Sequence, residues 1–150
     1  MLPTQRPWLN ILRLGLLVSA CGWGISFFFT FATWKSASDQ LYDMGANQIQ
    51  YDPLLDYWLR MASCVFGCIG IGSMLACHRP TNFIGLIRLL GPFHFIIGTT
   101  LVIAAYRNHL TTELHPTFVP DITFCFLAGL LIQIPLSRES FSGCTDSCEK

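Results

Sequence analysis

The chain has 150 residues and no formal net charge at pH 7; 52% of its residues are hydrophobic and 12% are charged, about half the charged share of an average soluble domain. That balance argues against a water-soluble globular domain, and basic residues scattered along the chain argue against a nucleic-acid footprint. The partners expected are the lipid bilayer and either another protein or a second copy of the chain, with no nucleic acid and no cofactor.

The length accommodates four membrane spans of about 20 residues with short connections, which leaves one domain. The first apolar run, 14–34, lies between Arg13 and Lys35 and carries no charge; at 1.5 Å per residue it spans roughly 32 Å, enough for a bilayer core. Within it, Val18-Ser19-Ala20-Cys21 has the form of a bacterial lipoprotein box with Cys21 as the lipidated residue. Against that reading, Gly22 to Trp34 stays strongly apolar where a lipoprotein passes into a polar tether.

Residues 35–56 are polar and acidic, with Tyr42 and Tyr51 suited to a membrane interface. Two readings stand for this stretch: a solvated loop, or a short interfacial helix over 39–44, capped by Ser38 and ended by Gly45-Ala46-Asn47. Three more apolar runs predict spans over 54–77, 83–106 and 118–136, the first two forming a hairpin about the break Cys77-His78-Arg79-Pro80-Thr81-Asn82. Pro92 is expected to kink the third span, while Pro120 and Pro135 fall in the first and last turns of the fourth. The tail from Ser137 reads as short, polar and disordered. Arg6, Arg13, Arg79, Arg88, Arg138 and Lys150 fall on one side of this topology, against Lys35, Arg60 and Arg107 on the other. The asymmetry places both termini in the cytoplasm.

Helices in lipid associate where small residues let backbones approach, and each span carries such a stripe. In the first it is Gly15, Ser19, Gly22, Ser26 and Thr30; in the second, Arg60, Cys64, Cys68, Gly72 and Ala76; in the third, Gly91, His94, Gly98 and Ala105; in the fourth, Asp121, Cys125, Gly129 and Gln133. Spacings of three and four put each set on one helix face. The fold expected is an all-α transmembrane four-helix bundle.

The polar residues inside the spans are the functional candidates, since each costs free energy at membrane depth. Arg60 and Asp121 come out at similar depth near the outer ends of parallel spans and are expected to pair, as a bundle staple or as part of a substrate or proton path; Arg60 also has Asp56 one turn away. Arg88 lies near enough to its helix end to snorkel. His94 falls near the midplane, on the face with Gly91 and Gly98. Its packing reading is a neutral imidazole bonded to Ser26 or to a carbonyl freed at Pro92, and its functional reading is a proton relay or ligand contact. Bis-histidine haem ligation is disfavoured because His78, His109 and His115 fall in loops.

Of the seven cysteines, Cys21, Cys64, Cys68 and Cys125 lie within apolar runs, where thiols act as small hydrophobes. Cys64 and Cys68 stand one turn apart, which suits packing rather than a disulfide. Cys144 and Cys148, with Cys77 and His78, make only a weak zinc pattern. Cys77 is placed for juxtamembrane acylation.

The stretches Asp56-Tyr57-Trp58-Leu59-Arg60-Met61, Arg79-Pro80 and Pro120-Asp121-Ile122-Thr123-Phe124 resemble small four-span bacterial membrane proteins of uncharacterised function that are distantly similar to the DoxX-like group. The resemblance covers 54–136 and implies the four-span fold and a bacterial inner membrane; no catalytic motif of the group maps onto residues here. The function expected is that of an accessory or structural subunit without a catalytic centre. The alternative is a membrane redox component (quinone or thiol) or a small-molecule transporter, using a central cavity around His94 with Arg60 and Asp121 at its mouth.

Overall fold

A computed structural model describes residues 6–113, 115 and 117–138. Expectations resting on Cys144, Cys148, Lys150 and the tail beyond Arg138 lie outside that set. The regular structure of the described residues is all helical, without strands. Four helical segments, Pro7–Phe31, Pro53–His78, Pro80–Arg107 and Phe118–Arg138, are long and apolar enough to cross a membrane. The protein is a multi-pass helical membrane protein.

The first segment begins well before Leu14. Helix α1 covers Arg6–Ile25 and a single further turn, α2, covers Phe28–Phe31. Arg13 ends the apolar run but not the helix, because a long exposed side chain can carry its charge to the interface. Between α1 and α2 the bonding tightens: the Ser26 and Phe27 amides donate three residues back, to the Trp23 and Gly24 carbonyls, at 3.2 and 3.0 Å. Such a pattern narrows the helix and re-aims the turn beyond it.

The interfacial helix exists but starts earlier than Ser38. Helix α3 covers Trp34–Asp43, and its cap is the Thr33 hydroxyl, which accepts from the Ser36 amide at 3.2 Å. The Ser38 hydroxyl instead donates to the Lys35 carbonyl. Thr33 was hidden by the apolar run before it. The helix stops where expected: Ala46 donates to the Leu41 carbonyl and Gly45 to that of Tyr42, a closure that needs the left-handed Gly45, φ 98°.

Helix α4, Pro53–His78, agrees with the predicted second span to within a residue at each end. Asp52 caps it, its Oδ1 accepting from the Leu54 and Leu55 amides at 2.7 and 3.1 Å, and Pro53 supplies a preset first turn. A 3₁₀ turn over Pro80–Phe83 leads directly into α5, Ile84–Arg107. Helix α5 runs uninterrupted through Pro92. It closes in the same manner as α3, with Leu110 donating to the Ala105 carbonyl over a left-handed His109, φ 50°. Helix α6, Phe118–Arg138, continues two residues past the predicted span and takes in Ser137.

Helix α1 packs along both α4 and α6, and α6 along α5, whereas α4 and α5 meet little beyond the turn that joins them. The core they all share lies toward that turn: Leu12, Leu16, Ala76, Ile87, Leu90 and Ile132. Three of the four small-residue stripes face inward at their centres. Gly15 abuts Leu131 and Ile132, Gly22 lies under the Phe124 ring, Gly98 faces Cys125, and Gly129 faces His94 and Phe95.

The second stripe is a correction. Cys64 and Cys68 are exposed, and the buried face of α4 is Ser63, Gly67, Gly70, Ser73 and Ala76. The helix is rotated because Gly70 meets α1 backbone to backbone: a Cβ there would lie 2.6 Å from the Gly24 nitrogen and 2.8 Å from its Cα. The Phe27 ring covers Gly67 in the same way. Only a face without Cβ atoms admits that approach. Ser73 donates to the Ile69 carbonyl at 2.9 Å and so accepts from the Ser19 hydroxyl, 3.0 Å away across the α1–α4 seam.

Candidate functional site

The polar centre of the bundle is one junction. Trp23, on α1, reaches His94, on α5, across the diagonal of the four spans: the indole Nε1–H donates to His94 Nε2 at 2.9 Å. That nitrogen is therefore unprotonated. His94 Nδ1 lies 2.7 Å from the Leu90 carbonyl, an acceptor only, so Nδ1 carries the proton. The imidazole is neutral with both nitrogens engaged, and the residue is 1% exposed.

Aromatic rings enclose the pair. Trp23 stacks on Phe66 of α4 with centroids 4.9 Å apart and meets Phe124 of α6 edge-on at 5.5 Å. Phe124 also stands edge-on to His94 at 6.0 Å. One α1 side chain thus touches the other three spans at mid-depth. In a medium without water an unbonded indole N–H and an unbonded imidazole would each carry a desolvation cost, and each removes the other's.

His94 has neither of the partners expected for it. Ser26 is not bonded to it, and the carbonyl it uses is the one a turn earlier in its own helix, not the one left open by Pro92. Trp23 is the residue that sequence reasoning missed. Its depth was the available signal, since Trp23 and His94 both lie about halfway along their spans and a mid-span indole N–H needs an acceptor.

The other predicted site residues do not converge on this junction. Arg60 does not pair with Asp121: its guanidinium bonds Asp56, with Nη2 and Nε at 2.8 and 3.0 Å from Oδ1. Nη1 donates to the Phe29 carbonyl at 2.6 Å and to the Ala32 carbonyl. Those carbonyls sit at the end of α2, where the helix leaves acceptors unsatisfied, so Arg60 locks the end of the first segment to α4. Asp56 wins over Asp121 because it stands one turn away on the same helix. Arg88 is exposed at the turn end of α5. Asp121 is exposed in the first turn of α6, with no side-chain hydrogen bond or ion pair among the described residues.

Asp121 does border a cleft of about 260 Å³ in the half of the bundle opposite the α4–α5 turn, between Phe66 on one wall and Ile97 and Leu101 on the other, with Trp23 and Phe124 behind. Its lining includes Cys125 and stops short of His94. Among the described residues no group of histidine, cysteine and carboxylate side chains could hold a metal ion. The Cys77 thiol donates to the Arg13 carbonyl at 3.5 Å, tying α4 to α1. At the same end Arg138 of α6 lies over the Trp8 ring of α1, 5.6 Å from its centroid.

Comparison of the chain with protein-family models, with curated proteins and with solved structures returns no match.

Proposed function

We propose that the protein is an accessory or structural membrane subunit without a catalytic centre of its own, acting through lateral association with a protein partner or a second copy. The observation that carries this reading is the closed valence of His94. A proton relay needs an imidazole nitrogen that can exchange its proton along a path, and a ligand contact needs one that faces open space. Here Trp23 occupies one nitrogen and a helix carbonyl the other. We further assign the chain to a bacterial inner membrane with both termini cytoplasmic. The support for the orientation is the asymmetry of basic residues, Arg13, Arg79, Arg88 and Arg138 at one end of the spans against Lys35, Arg60 and Arg107 at the other. Membership of the DoxX-like group is part of the same proposal and rests on the short resemblances in 54–136.

His94→Gln is the test. Glutamine can accept from the Trp23 indole at nearly the same place but cannot titrate near neutral pH. The variant should fold and retain the cellular phenotype of the wild-type gene. A folded His94→Gln protein that loses that phenotype would reinstate the redox or transport reading, as would a wild-type preparation that retains quinone in stoichiometric amount.

A further inference from the structure

The geometry points to the cleft in the half of the bundle away from the α4–α5 turn as a binding site for an alkylammonium group, held by Asp121 and the aromatic wall behind it. Three features of the cleft converge on that chemistry. Its one formally charged lining residue is Asp121, and Arg60, the basic residue expected to pair with it, is taken up by Asp56 and by the carbonyls of Phe29 and Ala32. Three aromatic rings line it, Phe66 at the side and Trp23 and Phe124 behind, and aromatic rings attract cations, most strongly where water is scarce. The remaining walls, Ile97 and Leu101, are apolar and suit the alkyl part of the same molecule.

Other ligand classes fit less well. A metal ion would find one carboxylate, the Ser26 hydroxyl and the thiol of Cys125, whose residue is 1% exposed, too sparse a set for the usual geometries. An anion would meet Asp121 first. A neutral apolar molecule would leave the carboxylate at the edge of a low-dielectric cleft without a counter-charge. The cleft also lies where α4 and α5 are no longer in contact, so an occupant can enter sideways from the bilayer as well as from water. The ammonium can therefore come from the headgroup of phosphatidylethanolamine or from a free small amine. This site is separate from the His94 nitrogens, so it stands or falls independently of the proposed function.

The test uses the full chain in dodecyl maltoside micelles, which contain no ammonium. Benzyltrimethylammonium is the free-amine probe, with neopentylbenzene as its neutral isostere and the unfolding temperature as the readout. The wild-type protein should show a saturable rise with the cation and a much smaller one with the isostere. Asp121→Asn should weaken the midpoint roughly tenfold, the size expected when a partly hydrated charge partner is lost. Leu101→Trp, which fills the cleft without touching the charge, should abolish the response. In the lipid arm, native mass spectrometry from micelles doped equally with phosphatidylethanolamine and phosphatidylglycerol should show one retained phosphatidylethanolamine per wild-type chain and none on either variant, if the lipid is the source. A cation response without lipid retention assigns the site to a free amine. Equal responses to cation and isostere, or responses and lipid retention unchanged in both variants, would overturn the proposal. So would the absence of any response together with the absence of retained lipid.

Discussion

The two halves of the bundle are closed by different means. Toward the α4–α5 turn, aliphatic side chains from all four spans fill the centre, with Leu16, Ile87 and Ile132 each fully buried. Away from it, the centre is held by one indole–imidazole bond within a ring of aromatics, and a cleft remains between α4 and α5. Connectivity explains the contrast. The Pro80–Phe83 turn holds α4 and α5 together at one end, whereas at the other end each continues into a separate loop and, among the described residues, no hydrogen bond or ion pair between side chains ties them to each other. A short turn makes aliphatic packing sufficient on its side. On the far side, where lipid offers no hydrophobic drive for helices to close, a directional bond does the holding.

Substitution at the closest backbone contact breaks both halves at once and should have the largest effect. Gly70→Ile places a branched side chain where even a Cβ meets the Gly24 backbone, and a loss of about 3 kcal/mol or more is expected from overpacking that cannot relax. Denaturant titration followed by circular dichroism reads it. Gly85→Ala, where an added Cβ meets nothing within 4 Å, is the control and should change stability little.

His94→Leu breaks the aromatic half alone. It strands the Trp23 indole N–H in a water-poor interior, at a cost of about 2 kcal/mol, while His94→Gln should recover most of that loss. The same titration measures it, and Trp23 fluorescence should shift in the leucine variant and return toward wild type in the glutamine variant. Equal stability of the two variants would remove the bond from its central place.

A smaller effect sharpens the assignment of Arg60. A double-mutant cycle of Arg60→Gln with Asp56→Asn should give a coupling of about 1 kcal/mol, since the pair is partly exposed. The cycle of Arg60→Gln with Asp121→Asn should be additive to within about 0.5 kcal/mol. Coupling in the second cycle and not the first would restore the pairing read from depth alone. The smallest expected change is at the α1–α4 seam, where Ser19→Ala removes the hydroxyl donating to Ser73. About 0.6 kcal/mol is the loss expected for such a bond inside a membrane bundle, and Ser73 keeps its own bond to Ile69.

The contrast between the halves also shows which parts of the site could be read in advance. His94 was identifiable as buried because its face carries Gly91 and Gly98, and the structure buries all three. Its partner was not, because a hydrogen bond between residues on diagonal helices depends on how deep each helix sits and how each is turned. Arg60 and Asp121 were matched in depth by counting along their spans, yet Arg60 bonds carbonyls at the end of α2 while Asp121 lines the cleft with Gly22, Trp23 and Ser26, since counting fixes neither the relative height of two helices nor the angular position of each side chain.

The sequence by itself determined the number of spans, most of their ends and the all-helical class. Those come from local quantities: apolar runs long enough to cross a bilayer, backbone groups that must be bonded within the segment, and caps such as Asp52-Pro53 and Gly45 that act over a few residues. Only the tertiary structure decided the rotation of α4. Its Cys64–Cys68 face and its Gly67–Gly70 face are both built of small residues at helical spacing, so periodicity cannot choose between them. The choice is made by α1, whose backbone at Gly24 can approach only the face where no Cβ stands in the way. The same rotation carries Phe66 against Trp23, and with it sets the aromatic wall on which the junction and the cleft depend.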